Sequence, residues 1–249
     1  MPTAIIGRLC DEFWRRAGEL SDFPRDLDGP IAFALPLVVI SLPSLLAADL
    51  QRWLRGRGLE QDTGPQRRLH ACVVAHRGAG YILLDGRDPP AQRRFSLAHE
   101  AGHFIADYLE PRRRLLQILG PSFQSVLDGK RPPDARERVE AVLVGVPLDL
   151  HLHLMERGGG GFACGSTSEA ECLADNLALE LLAPEAAVYS GLRAIALGRP
   201  YPEREQAAEE FVRRTFGLPD PLVGRYARRL LRRQTGGPDT REWLGLAGC

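Results

Sequence analysis

Arg94-Phe95-Ser96-Leu97-Ala98-His99-Glu100-Ala101-Gly102-His103 contains the pattern H-E-x-x-H, inside a stretch from Phe95 to Tyr108 whose composition suits a helix. On a helix, positions four apart lie one above the other, so His99 and His103 share a face. Their β-carbons then lie roughly 6 Å apart, close enough for both imidazoles to hold one zinc ion. Glu100, one position on, is near such an ion but badly placed to ligate it. That is where a general base for an attacking water belongs. The pattern implies metal-assisted hydrolysis and requires a third protein ligand elsewhere in the chain.

Working outward, 249 residues are enough for a sizeable core. The 44% hydrophobic and 26% charged composition is that of an ordinary globular protein. Lys+Arg 32 balance Asp+Glu 32, so no global field draws the chain to nucleic acid or to a membrane surface. Lys130 is the only lysine, and arginine carries the rest of the positive charge. The five cysteines (Cys10, Cys72, Cys164, Cys172, Cys249) show no C-x-x-C pair and read as free thiols of a reducing, cytoplasmic compartment. The start, Met1-Pro2-Thr3-Ala4-Ile5, has no basic region followed by an apolar one, so a signal peptide is not expected. The uncharged run from Pro30 to Ala48 approaches the length of a membrane span, but Pro36 and Pro43 interrupt it. Ile31–Leu35 and Leu37–Ile40 are instead expected as buried strand, with no membrane partner.

Ile5, Ile6, Leu9, Phe13, Ala17 and Leu20 recur at helical spacing and predict an amphipathic helix near the start. A second helix is predicted from about Pro43 to Arg57, closed by Gly56 and Gly58. Leu69–Ala75 and Tyr81–Leu84 then alternate as strands around Arg77-Gly78-Ala79-Gly80, which reads as a hairpin. The histidine-bearing helix opens after Pro89-Pro90. Between about Pro111 and Cys164 the periodicity weakens. Arg112-Arg113-Arg114, Gly129–Pro133 and Gly158–Gly161 read as loop or hinge, and Glu137–Leu150 as a helix, or a helix running into a strand. Two more helices are predicted at Glu203–Thr215 and Leu222–Gln234.

The third ligand is sought in the run from Ser166 to Pro184, where Ser166, Thr167 and Ser168 offer a helix N-cap and Pro184 marks the end. Leu173, Leu177, Leu181 and Leu182 form its apolar stripe. Glu171 and Asp175 lie off that stripe, four apart. The pair suits a zinc carboxylate ligand one turn from a second carboxylate that orients a histidine N–H. Glu169 competes for the ligand role, but its i+4 position is Leu173, so Glu171 is favoured.

Together, Arg94–His103 and Glu171-x-x-Ala174-Asp175-x-x-Ala178-x-Glu180-Leu181-Leu182-Ala183-Pro184 resemble the two motifs of the ImmA/IrrE metallopeptidase family, R-F-x-x-A-H-E-x-G-H and E-x-x-A-[ND]-x-[F]-A-x-E-L-L-x-P. The resemblance spans about Leu42 to Tyr189. It implies Zn2+ held by His99, His103 and Glu171 in a thermolysin-like set, Glu100 as general base, and Asp175 behind the ligands. It also implies a peptidase that cleaves or regulates helix-turn-helix repressors of the XRE type. Leu177 stands where the family has Phe, and the segment between His103 and Glu171 is longer than usual.

The expected architecture is α+β and zincin-like: a small twisted sheet packed on the H-E-x-x-H helix and a second ligand helix. Residues 1–40 are expected as an N-terminal extension and 41–190 as the peptidase domain, with an insertion at about 111–165. Residues 200–249 are expected as a helical C-terminal region, with a helix-turn-helix-like unit as the alternative. His151-Leu152-His153 has no acidic or cysteine pattern nearby and reads as a polar loop or strand edge. Tyr81, His70, His76 and Tyr108 are candidates for stabilising an oxyanion, and Asp107, four from His103, for a hydrogen bond to that ring. Arg225, Arg228, Arg229, Arg232 and Arg233 make the last helix basic. It reads as a solvated face over inward Leu222, Tyr226, Leu230 and Leu231, with nucleic-acid contact as the alternative. The competing functional reading is a metal-binding regulator that acts by association with protein or DNA, for which an intact Glu100 has no use.

Overall fold

The computed structural model describes residues 2–18, 22–157, 169–195 and 200–236. Chain contacts divide it into a first unit, Met1–Leu20 with Leu27–Ala178, and a second, Ser21–Asp26 with Leu179–Cys249. Apart from 21–26, the residues expected as an N-terminal extension therefore belong with the sheet.

The first unit is α+β. In chain order it holds α1 (Pro2–Ala17), α2 (Asp28–Ala34), β1 (Leu37–Leu42), α3 (Ala47–Arg55), β2 (Leu69–His76) and β3 (Ala79–Asp85). Then follow α4 (Pro90–His103), a π-turn (Phe104–Leu109), α5 (Glu110–Leu119), α6 (Gln124–Leu127), α7 (Ala135–Val144), β4 (Leu150–Glu156) and α8 (Glu169–Leu182). The four strands lie in the order β1-β3-β2-β4, with β1 parallel to β3 and the other pairings antiparallel. β2 and β3 are joined by Arg77 (φ 51°) and Gly78 (φ 90°), both left-handed, as a two-residue hairpin turn that follows the sheet's twist requires.

Ile31–Leu35 is helix rather than strand. Leu27, Ile31 and Ala34 are buried while Phe33 is 81% exposed, a helical rather than a two-residue period. The strand begins only after Pro36, at Leu37. α3 also starts later than expected, at Ala47, where Asp49 accepts from the Leu46 backbone N–H at 3.1 Å. One face of the sheet packs on α3, where Leu45, Leu50, Leu54, Leu69, Cys72, Val74 and Leu83 are buried and Leu150, Leu152 and Leu154 close over them. Burial of each such leucine contributes about 1.5–3 kcal/mol. The other face receives α4.

From Pro111 to Val144 the insertion is mostly helix, with a small core of Leu115, Phe123, Val126, Leu127, Ala141 and Val146. Arg112-Arg113-Arg114 is not a hinge but part of α5, with Arg112 buried under the insertion and donating to the Leu127 carbonyl at 3.2 Å. α7 opens on a capping box in which Asp134 and Glu137 each accept the other's backbone N–H at 2.8 Å, and closes on Gly145 at φ 75°. From there the chain returns to the sheet as the edge strand β4.

The second unit is helical: the last turn of α8, then α9 (Glu185–Ile195), α10 (Tyr201–Phe216) and α11 (Asp220–Thr235). α9 was not anticipated. In α11, Leu222, Tyr226, Leu230 and Leu231 are buried, and the Tyr226 hydroxyl donates to the Ala183 carbonyl at 2.6 Å. Arg228 pairs with Glu205 of α10, and Arg233 with Glu185 of α9 at 3.1 Å. Cys10 and Cys72 are buried thiols, whereas Cys172 is disulfide-bonded, so the expectation of free thiols throughout does not hold. No C-x-x-C spacing marks that bridge, because it depends on proximity in space. The N-cap expected at Ser166–Ser168 lies outside the described residues. No helix among the described residues is long and apolar enough to cross a membrane.

Candidate metal centre

α4 begins with Pro90 at its first position and runs buried from Phe95 to His103. His99 and His103 are 3% and 1% exposed, and Glu100 is fully buried. Both imidazoles turn Nδ1 towards a carboxylate: His99 to Asp175 Oδ1 of α8 at 2.9 Å, His103 to Asp107 Oδ2 in the π-turn at 2.6 Å. A carboxylate accepts only, so each Nδ1 carries a proton and Nε2 is the nitrogen left to turn towards a metal. Those two Nε2 atoms are 3.1 Å apart.

Glu171 faces both rings, with Oε2 3.5 Å from His99 Nε2 and Oε1 3.6 Å from His103 Nε2. Ligands held at about 2.0–2.1 Å in a tetrahedral shell sit about 3.3 Å from one another. The three side chains therefore fit a small dication. Glu169, the competing acid, is exposed on the first turn of α8.

The approach of α8 to α4 is set by backbone. A β-carbon at Gly102 would lie 3.0 Å from the Ala174 carbonyl oxygen and 3.1 Å from its Cα, so a larger residue would hold the helices apart. Asp175 and Glu171 reach the histidines from that helix.

A residue read from the sequence as part of a polar loop or strand edge joins them. His153, on β4, turns Nδ1 to both oxygens of Glu100 at 3.0 and 3.2 Å and Nε2 to Glu171 Oε1 at 2.8 Å. Its ring stacks on His103 with centroids 3.6 Å apart. The signal was the alternation Leu150-His151-Leu152-His153-Leu154. In a strand, leucines facing α3 put the histidines on the side of α4. The end of β4 is anchored by Arg157, which pairs with buried Asp85 at 3.0 Å and with Asp88, while Asp88 also accepts from His70 Nδ1 at 2.8 Å.

The electrostatics favour positive charge at the centre. Burial of His99 opposes its protonation, yet hydrogen bonds to Asp175 and Glu171 outweigh it and raise the ring to about 9. Burial likewise opposes charge on His153, and the Glu100 carboxylate overcomes it, to about 10. Glu171 is held far below the usual carboxylate range by hydrogen bonds from His103, His153 and His99. Burial of Glu100 raises its pKa, but the His153 charge and hydrogen bond prevail and the net shift is downward. His151, by contrast, is lowered by burial.

The expected oxyanion candidates are engaged elsewhere. The Tyr108 hydroxyl accepts from Gly78 N at 2.7 Å, His76 lies 3.4 Å from Asp149, and Tyr81 packs edge-on against Trp53.

Among comparisons with known proteins, a family model, the IrrE N-terminal-like domain (Peptidase_M78), matches residues 59–141. No curated protein and no solved structure matches the chain. The matched third of the chain contains His99, Glu100 and His103 but ends before His153, Glu171 and Asp175, whose place at the site rests on geometry. Over residues 59–141 the chain is thus similar to the IrrE N-terminal-like domain.

Proposed function

We propose that the protein is a zinc-dependent endopeptidase in which His99, His103 and Glu171 hold the metal and Glu100 is the general base. The observation that carries this reading is the convergence of His99 Nε2 and His103 Nε2, 3.1 Å apart, on the Glu171 carboxylate, whose two oxygens lie 3.5 and 3.6 Å from them, beside a fully buried glutamate. Bound zinc would supply Lewis acidity and bring the pKa of a water molecule towards ≈ 7. Asp175 and Asp107 fix the tautomer of the two histidines and keep their Nε2 lone pairs inward. Glu100 takes the proton of the attacking water and returns it to the leaving amine. Its depressed pKa keeps it ionised, as a base requires.

The substrate proposed is a protein, a helix-turn-helix regulator of the XRE type, on the strength of the resemblance of both motifs to ImmA/IrrE peptidases. Nucleic-acid binding by α11 gains no support from its charges, since Arg228, Arg229 and Arg233 already face Glu205 and Glu185.

Glu100→Gln tests the chemistry: zinc content should be unchanged and cleavage lost, and cleavage surviving in the zinc-loaded variant overturns the peptidase reading. Glu171→Ala should lose zinc while Glu169→Ala keeps it. Full zinc occupancy in Glu171→Ala removes Glu171 from the ligand set.

A further inference from the structure

His153 has two ring nitrogens and two carboxylate partners, one on the proposed base and one on the proposed ligand. Both partners accept only, so both nitrogens donate. The ring is 17% exposed at its side chain and comes from a strand, whereas the other site residues come from helices. Donor proximity alone would admit it as a fourth metal ligand, since one atom each of His99, His103, His153 and Glu171 lies within 4.8 Å of the others. Ring geometry argues otherwise. The rings of His103 and His153 are stacked, 23° from parallel, and the in-plane lone pairs of stacked rings run side by side rather than converging on one ion. Its Nε2 also lies 2.8 Å from Glu171 Oε1, a hydrogen-bond length shorter than the spacing between the other donors.

We propose that His153 is a positioning residue of the peptidase site: Nδ1–H holds the Glu100 carboxylate, Nε2–H holds the Glu171 carboxylate, and one imidazole on β4 thereby sets the base and the metal ligand together. This rests on the metallopeptidase reading above. A metal-site histidine is usually oriented by a carboxylate on its outer ring nitrogen, the place Asp175 and Asp107 take here. His153 reverses the roles, an imidazole orienting a carboxylate ligand. The insertion gains a function as well. It is the segment that returns the chain to the sheet as β4, and without that strand neither carboxylate has this partner.

The two contacts separate experimentally, because a glutamine amide reaches the place of Nε2 and an asparagine amide that of Nδ1. The test uses the full chain, Zn2+ binding by competition with a chromophoric chelator, and turnover of a quenched-fluorescence peptide that the wild type cleaves. His153→Ala should still bind one zinc at saturation, with affinity and kcat each lowered about 10–100-fold and KM changed little. His153→Gln should regain zinc affinity without kcat, and His153→Asn should regain kcat without affinity. Affinity and kcat of His153→Ala both within threefold of wild type overturn the proposal. So does loss of stoichiometric zinc at saturation, which would make His153 a ligand. So does the absence of any split between Gln and Asn. Failure of the underlying reading looks different: a wild type that binds no zinc, or a Glu100→Gln variant that still cleaves.

Discussion

The backbone of Gly102 lies against the backbone of Ala174, so closely that a β-carbon there would stand 3.0 Å from the Ala174 carbonyl oxygen. This contact brings α4 and α8 to the distance at which Asp175 reaches His99 and Glu171 reaches both imidazoles. Gly102→Ala is therefore expected to act on the metal before it acts on the fold. Pushing α8 by a few tenths of an ångström should lower zinc affinity at least tenfold and stability by about 1–3 kcal/mol. Chelator competition and thermal unfolding check this. Wild-type zinc affinity in Gly102→Ala would show that the helix spacing does not govern Glu171.

Asp175→Asn and Asp107→Asn each keep the size of the side chain but allow the amide to offer its NH2 to the ring, which no longer fixes the tautomer. Each should weaken zinc binding about 10–100-fold with the fold intact. Equal affinity in both variants and wild type would mean that the Nδ1 partners are dispensable.

In the proposed function zinc would compete with protons for His99, whose ring is raised to about 9 by Asp175 and Glu171 against the opposing effect of burial. Below that pH the metal must displace a proton, so apparent affinity should fall as pH falls from 9 to 6, by up to about tenfold per unit for each proton released. Titration with zinc in weakly buffered solution should release protons at pH 7. A pH-independent affinity over this range contradicts the charge distribution of the site.

A structural ion network makes a separate prediction. Glu110 of α5 accepts from Arg8 of α1 at 2.7 Å and from Arg113 at 2.8 Å. Burial of Glu110 raises its pKa, and the two arginines more than offset this, leaving it below the ordinary 4.5. A depressed carboxylate stabilises the fold above its unfolded pKa, and that contribution disappears as pH falls through the folded value. Glu110→Gln should cost about 1 kcal/mol at pH 7, discounted because Arg8 is 53% exposed, and almost nothing once pH is well below 4.5. Urea unfolding at pH 7 and pH 3 distinguishes the cases, and a cost that persists at pH 3 assigns the effect to packing.

Much of the site was legible because its chemistry is written in local spacing. H-E-x-x-H puts two imidazoles on one helical face wherever that helix lies, and the four-residue step from Glu171 to Asp175 does the same for two carboxylates. The hairpin was legible for a similar reason, although its turn is two residues rather than four. Ile31–Leu35 misled because five apolar residues show no period of their own. Burial of Leu27, Ile31 and Ala34 against exposed Phe33 supplied the missing phase. The arginines at 112–114 misled because Arg112 gains a carbonyl partner and burial only when the insertion folds over it.

Local periodicity thus determined the histidine face of α4, the acidic face of α8, the hairpin, and the family resemblance that these motifs carry. Which partners meet across 76 positions, from His99 to Asp175, was a tertiary decision, made where Gly102 lets two helix backbones touch. So was His153. The alternation at 150–154 says only that histidines and leucines face opposite ways, and the pairing of β4 with β2 turns that bare parity into contacts with Glu100 and Glu171. Spacing along a chain sets the face a side chain occupies, but a second chain segment must arrive before that face has anything to bind.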